Sequence, residues 1–311
     1  MGEQAYLDLV RKILSEPVRK TRNANVMSVF GESLEFDLCG VSPRSGVLPL
    51  FTTKFVSFNN IFHELMFFLK GLTNTEYLNE HGVKIWNPNS TREFLDKQGL
   101  HHYPEGTLGP IYGHQWRNFG AEWPTGVEAD SRLRSTGVEA DSRLRSTPTG
   151  VDQIKYCINL LQTDPFSRRI LFTAWNPVDL PKMALYPCHI LFQFYVRVGA
   201  NKERILDGQL YQRSADLMLG VPYNVVSYSL LIYLVSSIVG MVPGRIKLVF
   251  GDVHIYEEHR EGAEEQLRRE VLEFPKIHVS HTPQKIEDFR IEDITIDNYV
   301  HGPPIKMKMV A

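Results

Sequence analysis

The sequence predicts an α+β fold, a single domain in which a mixed β-sheet is packed by helices. Three observations carry this. Segments of helical period alternate irregularly with strand-like runs, no Pro-, Gly- or Ser-rich linker divides them, and 311 residues can bury one large core. A content of 43% hydrophobic and 23% charged residues is that of an ordinary globular chain. The net charge of -2 gives no overall basic field for nucleic acid or an anionic membrane, so any anion site must be a local arginine cluster. Cys39, Cys157 and Cys188 have neither the number nor the spacing of a disulfide framework or a zinc site. With no segment that reads as a signal peptide, they point to a reducing compartment, the cytoplasm or else the nucleus, and no metal is expected.

In chain order, Tyr6, Leu9, Val10, Ile13 and Leu14 repeat at helical spacing until Pro17. A basic loop, Arg19-Lys20-Thr21-Arg22, precedes an alternating strand ending at Leu38, which Cys39 closes as a structural residue. Residues 59–70 read as a helix stopped by Gly71, with Ile61, Leu65 and Phe68 on its buried face and Glu64 among them. A carboxylate there is costly unless it is bonded or functional. Thr73-Asn74-Thr75-Glu76 has the pattern of a capping box for a short helix. Residues 125–135 (TGVEADSRLRS) recur unchanged at 136–146, a polar duplication without periodicity that reads as a surface insertion within the single 1–311 domain.

Ile154, Cys157, Ile158 and Leu161 mark a further amphipathic helix, with Cys157 in the core. Strands are predicted over 170–175, 190–198, 206–212, 246–250, 276–280 and 286–296. Residues 222–240 are apolar enough to raise the question of a membrane span. Their four serines, with Asn224 and Tyr228, favour a buried core helix instead.

The thiol is the focus of the chemistry. Cys188 follows Pro187, which removes a backbone donor and fixes its own φ, so the cysteine stands at a strand entrance. Taken alone it reads first as a half-buried filler, and only its company along the chain favours a nucleophile. Arg22, Arg168, Arg169 and Arg213 would bind phosphate oxygens bidentately if gathered around one dianion, and would lower a neighbouring thiol pKa. A cysteine hydrolase using Cys188 with His189 is disfavoured, because adjacent strand residues face opposite ways.

Beyond the residue types, a series of ordered stretches matches a known pattern. These are Phe62-His63-Glu64-Leu65, Lys84-Ile85-Trp86, residues 109–117 (GPIYGHQWR), Arg168-Arg169-Ile170, Ala174-Trp175-Asn176-Pro177, Pro187-Cys188-His189, residues 212–216 (QRSAD), 219–224 (LGVPYN) and 251–256 (GDVHIY). From Glu3 to the C-terminus, the duplication apart, the chain resembles the thymidylate synthase family. The resemblance implies a sheet-mediated homodimer that methylates dUMP reductively to dTMP, with methylene-tetrahydrofolate as carbon and hydride donor and dihydrofolate as product. It assigns Cys188 as nucleophile on uracil C6, Glu64 and Tyr112 to proton transfer, and Asn224 to the uracil amide edge, with Asp216 on the pterin. The dUMP site would comprise Arg22, Gln212, Arg213, Ser214, Ala215, Asp216, Asn224, His254, Ile255 and Tyr256, with Arg168 and Arg169 supplied by the partner subunit. Ile85, Trp86, Asn89, Asp216, Gly220, Tyr223 and Val310 would wall the folate site.

Two stretches depart from the family pattern. The phosphate loop, Thr21-Arg22-Asn23-Ala24-Asn25, lacks glycine and is one residue short, which leaves Arg19 as the alternative phosphate arginine. Asn87 stands where aspartate is usual. The rival readings on the same scaffold are a nucleotide hydroxymethylase, against which Asn224 argues, and a non-catalytic RNA-binding protein, which nothing in the residues indicates.

Overall fold

The computed structural model describes residues 2–22, 24–123 and 150–310; the duplicated tract at 125–146 lies outside the described residues. Helix α1 (Glu3–Leu14) buries Tyr6, Val10 and Ile13 at the predicted spacing. The strands β1 (Arg19–Lys20), β2 (Asn25–Phe30), β3 (Ser33–Asp37) and β4 (Ser45–Val47) follow. Strand β3 stops before Cys39, which turns left-handed at φ 45° and is exposed rather than packed as a structural residue.

Helix α2 (Phe58–Leu69) begins where the Ser57 hydroxyl accepts the Asn60 N–H at 3.3 Å, an N-cap that satisfies an otherwise orphaned donor. It is followed by α3 (Glu76–Glu80), α4 (Arg92–Lys97) and α5 (Tyr112–Asn118). The expected capping box at Thr73 does not form. Thr73 is buried with its carbonyl bonded to the Leu108 N–H, and Asn74 Oδ1 instead accepts the Glu76 N–H at 2.9 Å.

Helix α6 (Gln153–Thr163), capped by Asp152, holds Cys157 in the core as expected. The chain continues through β5 (Leu171–Thr173), β6 (His189–Val198), β7 (Arg204–Asp216), α7 (Gly220–Val239), β8 (Val242–Tyr256), α8 (Arg260–Leu267), β9 (Lys276–Val279) and β10 (Ile294–Asp297). The strand expected over 286–296 survives only as β10. Asp293 accepts the Arg290 N–H at 2.8 Å, and that local closure bends the preceding residues into turns.

One sheet of seven strands runs β1-β2-β8-β7-β6-β5, with β3 also paired to β8, and β10-β9-β4 form a second of three strands. All pairs are antiparallel except β7–β8, which makes the large sheet mixed. A parallel pair needs a crossover, and α7 supplies it. Its 20 residues have a mean hydropathy of 1.4 and would be long and apolar enough to cross a membrane, yet 83% of that window is buried inside the protein. Two of its serines bond back along the helix, Ser229 to the Val225 carbonyl at 2.7 Å and Ser237 to that of Leu234 at 2.8 Å, while the buried Ser236 hydroxyl has no partner among the described residues. Gly240 ends it in the left-handed region at φ 69°.

The N-terminus is locked to the interior by Glu3. Its buried carboxylate accepts the backbone N–H and the hydroxyl of both Thr52 and Thr53, at 2.5–2.8 Å. Glu3→Ala strands these buried donors, and urea unfolding should show a loss on the order of 3 kcal/mol. The exposed Gln4→Ala should stay within about 0.5 kcal/mol.

Candidate active site

Pro187 delivers Cys188 to the first residues of β6, where three interactions fix it. The Cys188 N–H donates to the Tyr112 hydroxyl at 2.8 Å. The Cys188 carbonyl accepts the Arg213 backbone N–H at 2.9 Å. Arg213 then folds back over the strand start, donating to the Pro187 carbonyl at 2.7 Å and the Tyr186 carbonyl at 3.1 Å, and comes within 3.9 Å of the Cys188 sulfur. The guanidinium lies 5.5 Å from the Trp175 ring, whose face favours a cation.

Burial pushes the Cys188 thiol up, against the opposing pull of Arg213. Within the single chain, Arg213 is the arginine that stands at the sulfur. Arg22, Arg168 and Arg169 are exposed, and their side chains reach no partner among the described residues. Arg19 is committed elsewhere, to Ser28 and Asp252.

His189 does not serve as a base for the thiol. Its ring stacks on Tyr112 with centroids 4.0 Å apart, and Nδ1 bonds the Tyr228 hydroxyl at 2.7 Å. Burial lowers its pKa to about 3, so it stays neutral and serves to prop the Tyr112 ring.

A cavity of about 380 Å³ has Glu64, Asp216, Asn224 and Asn89 among its polar lining. Ile85, Trp86, Gly220 and Tyr223 also line it. The Trp86 indole N–H donates to Glu64 Oε1 at 2.8 Å. Burial outweighs that bond and raises the Glu64 pKa to about 7, where a carboxyl exchanges protons at neutral pH. Burial also keeps the Tyr112 hydroxyl protonated, well above its ordinary range.

Asp216 accepts the Met218 N–H at 2.9 Å and the Leu219 N–H at 3.2 Å, a turn that launches α7. Asn224, at the start of the second turn of that helix, has its Oδ1 held by Gln212 Nε2 at 2.8 Å. A larger open depression of about 770 Å³, lined by Asn74, Glu76, Glu105 and neighbours, holds none of these groups and is not the reaction site.

Ala215 and Ile255 point their side chains away from the cavity. Both are fully buried in the core, because strand alternation turns them away from Ser214 and Asp216, and from His254 and Tyr256. The C-terminal segment meets the cavity through Met307 and Met309, not Val310. His259 Nε2 holds the Lys308 carbonyl of that segment at 2.7 Å. Leu185 and Leu219 are further wall residues absent from the expected set, although both lie within the stretches that flank Cys188 and Asn224. The two methionines had a readable signal, since Ile305, Met307 and Met309 alternate with lysines.

A clamped thiol beside an apolar cavity with a buried carboxyl defines an enzyme of covalent catalysis with proton transfer. A family model for thymidylate synthase matches residues 4–311. The chain is 43% identical to the thymidylate synthase of Homo sapiens over 312 residues, covering 100% of this chain and 91% of the relative. It is 41% identical to that of Equine herpesvirus 2 (99% and 98% covered). A bifunctional dihydrofolate reductase-thymidylate synthase of Leishmania amazonensis is 40% identical, with 99% of this chain and 55% of the relative covered. The chain belongs to the thymidylate synthase family, and it is a methyltransferase.

The raised Glu64 pKa has a thermodynamic signature. Its folded value, about 7, exceeds the ordinary 4.5, so the folded protein binds the extra proton between those values. Stability relative to Glu64→Gln is fully present below pH 4.5 and falls as pH rises through about 7, by up to about 3 kcal/mol. Urea unfolding of both proteins across that range checks this; parallel curves would contradict it.

Proposed function

We propose that the protein converts dUMP to dTMP, with Cys188 as the covalent nucleophile. The observation that carries the reading is the Cys188–Tyr112–Arg213 clamp next to a cavity lined by Glu64, Asp216 and Asn224: the cavity's Trp86 ring lies 6.1 Å from that of Tyr112, and Asp216 is close enough to act on the thiol. Bound methylene-tetrahydrofolate supplies the one-carbon unit and the hydride. The cavity suits a flat heteroaromatic ring: Ile85, Trp86 and Tyr223 form walls, and Asp216 keeps its second carboxylate oxygen for a ring N–H.

The Cys188 sulfur adds to uracil C6 and makes C5 nucleophilic; the same sulfur leaves at the end. A bound dianion brought up by arginines would favour the thiolate, which burial disfavours in the free protein. Glu64 handles the proton traffic with the Tyr112 hydroxyl. Asn224, its carbonyl held by Gln212, presents its amide N–H groups to the uracil edge. His254 and Tyr256 hold the sugar hydroxyl, and Arg22 and Arg213 the phosphate.

The working unit is a homodimer formed through the large sheet, each subunit lending Arg168 and Arg169 to its partner's phosphate site. Two features support this. Both arginines are exposed in the single chain, and the sheet has an open face on which Tyr195 is 63% exposed beside Gln193, Gln209 and Lys247. The three free cysteines suit the reducing cytoplasm, or the nucleus, as the compartment.

Mixing protein, dUMP and methylene-tetrahydrofolate should give dTMP and dihydrofolate, followed by absorbance. Product without dihydrofolate would mean hydroxymethylation instead. Cys188→Ala should fold and lose essentially all turnover. Cys157→Ala should cost at most about 2 kcal/mol and keep turnover, since burial raises that thiol to about 12 and leaves it inert.

The shared site has its own test. Cys188→Ala protein mixed with Arg168→Ala/Arg169→Ala protein should regain activity as subunits exchange, up to one intact site per heterodimer. Exchange proved by mass spectrometry without recovered activity would rule out the shared site.

A further inference from the structure

We propose that Arg19 and Asp252 are positioning residues that lock His254 into the tautomer protonated on Nδ1, leaving a bare Nε2 to accept a hydrogen bond from the nucleotide's sugar hydroxyl. The proposal rests on the reading of His254 as a nucleotide-binding residue and adds what makes it competent.

The relay is continuous. Arg19 Nε donates to Ser28 Oγ at 2.8 Å, and its Nη2 donates to Asp252 Oδ2. Asp252 Oδ1 lies 2.9 Å from His254 Nδ1. Partial burial would raise the Asp252 carboxyl, but the His254 bond and the Arg19 charge outweigh it and hold the group below its ordinary value. Asp252 is therefore a carboxylate at neutral pH, and a carboxylate only accepts. The proton between them consequently belongs to Nδ1, and in the neutral ring Nε2 is then an acceptor.

Strand pairing removes the slack. Ser28 on β2 is directly across from His254, and Phe30 is across from Asp252. On the other side, Asp216 of β7 pairs with His254, whose carbonyl accepts the Leu217 N–H at 2.9 Å. The Tyr256 ring meets the imidazole edge-on at 5.1 Å, and the histidine is only 8% exposed. Its Nε2 makes no hydrogen bond among the described residues.

A 2′-deoxynucleoside 5′-phosphate has one free sugar hydroxyl, at the 3′ position, and an acceptor fixed in place selects for it. The relay also gives Arg19 a role distinct from phosphate binding. It ties the shortened basic loop to the residue that reads the sugar.

The test has two readouts on the full-length protein. Nitrogen-15 NMR of the histidines, with His254 assigned by His254→Gln, reports the tautomer without ligand. Calorimetry reports affinity for dUMP and for its 3′-deoxy analogue, whether or not the protein turns over. The wild type should show Nδ1–H and prefer dUMP by about tenfold.

Asp252→Ala should shift the ring towards Nε2–H and bring that preference close to one. Asp252→Asn, which can still accept at its carbonyl oxygen, should restore much of both. Arg19→Met, at an exposed position, should weaken the preference partially even if Asp252→Ala proves unstable. A tautomer unchanged by Asp252→Ala, a wild-type imidazolium, or a preference untouched by Asp252→Ala and Arg19→Met would each overturn the relay. A wild type that binds dUMP and its 3′-deoxy analogue equally would overturn the sugar-binding reading of His254, and the proposal with it. Loss of dUMP turnover alone would count against the proposed activity and not against the relay.

Discussion

The parallel pairing of β7 with β8 is the constraint from which the site follows. Two consecutive parallel strands cannot be joined by a tight turn, so the chain must cross the sheet, and the crossover must be buried. Helix α7 meets this by being apolar on nearly every side. Because β7 ends where α7 begins, Asp216 and Asn224 are brought to one cavity by a single change of direction. The same burial fixes Gln212 against Asn224, and the 15 residues of β8 are long enough to pair β7 along one edge and both β2 and β3 along the other.

The aromatic shell has one electrostatic effect expressed in several groups. Phe68, Trp86 and His189 crowd the Tyr112 ring, and taking these side chains out of water disfavours charge. Tyr112 keeps its proton, His189 refuses one, and the Cys188 thiol is discouraged from ionising. Glu64 is instead shifted into the neutral range. The free protein therefore holds a reserve nucleophile and one poised proton carrier, and Arg213 is the fixed charge that leans towards the thiolate.

The cavity's remaining wall comes from the far end of the chain. Tyr299 bonds the Phe51 carbonyl and the Val56 N–H, Gly302 bonds the Thr52 carbonyl, and His259 bonds that of Lys308. Thr52 and Thr53 are themselves held by Glu3, so both ends of the chain meet on the same short segment before α2. Met307 and Met309 reach the cavity through that anchorage, and their unbranched side chains suit a wall that must adapt to a ligand.

Much of this was legible in the residues. The helical period of α1, α2 and α6, the buried α7, and the α+β class come from side-chain spacing, since burying one face of an element is a local periodic requirement. The thiol at a strand entrance and the costly carboxyl on α2 were legible for the same reason, and the ordered motifs extended them to Tyr112, Asp216 and Asn224. What spacing did not carry is where side chains from distant strands point. Ala215 and Ile255 lie inside matching motifs yet face the core, and Val310 yields the cavity to its neighbours. The sign of the Cys188 shift likewise depends on how much water the fold removes and how many arginines it delivers, and neither quantity is local. By itself the sequence determined the elements, the fold class and the chemical inventory, because these follow from neighbours along the chain. Only the tertiary structure decided that Arg213 reaches the sulfur within one chain and that Arg19 serves Asp252, because charge acts through space and the strand register sets the distances.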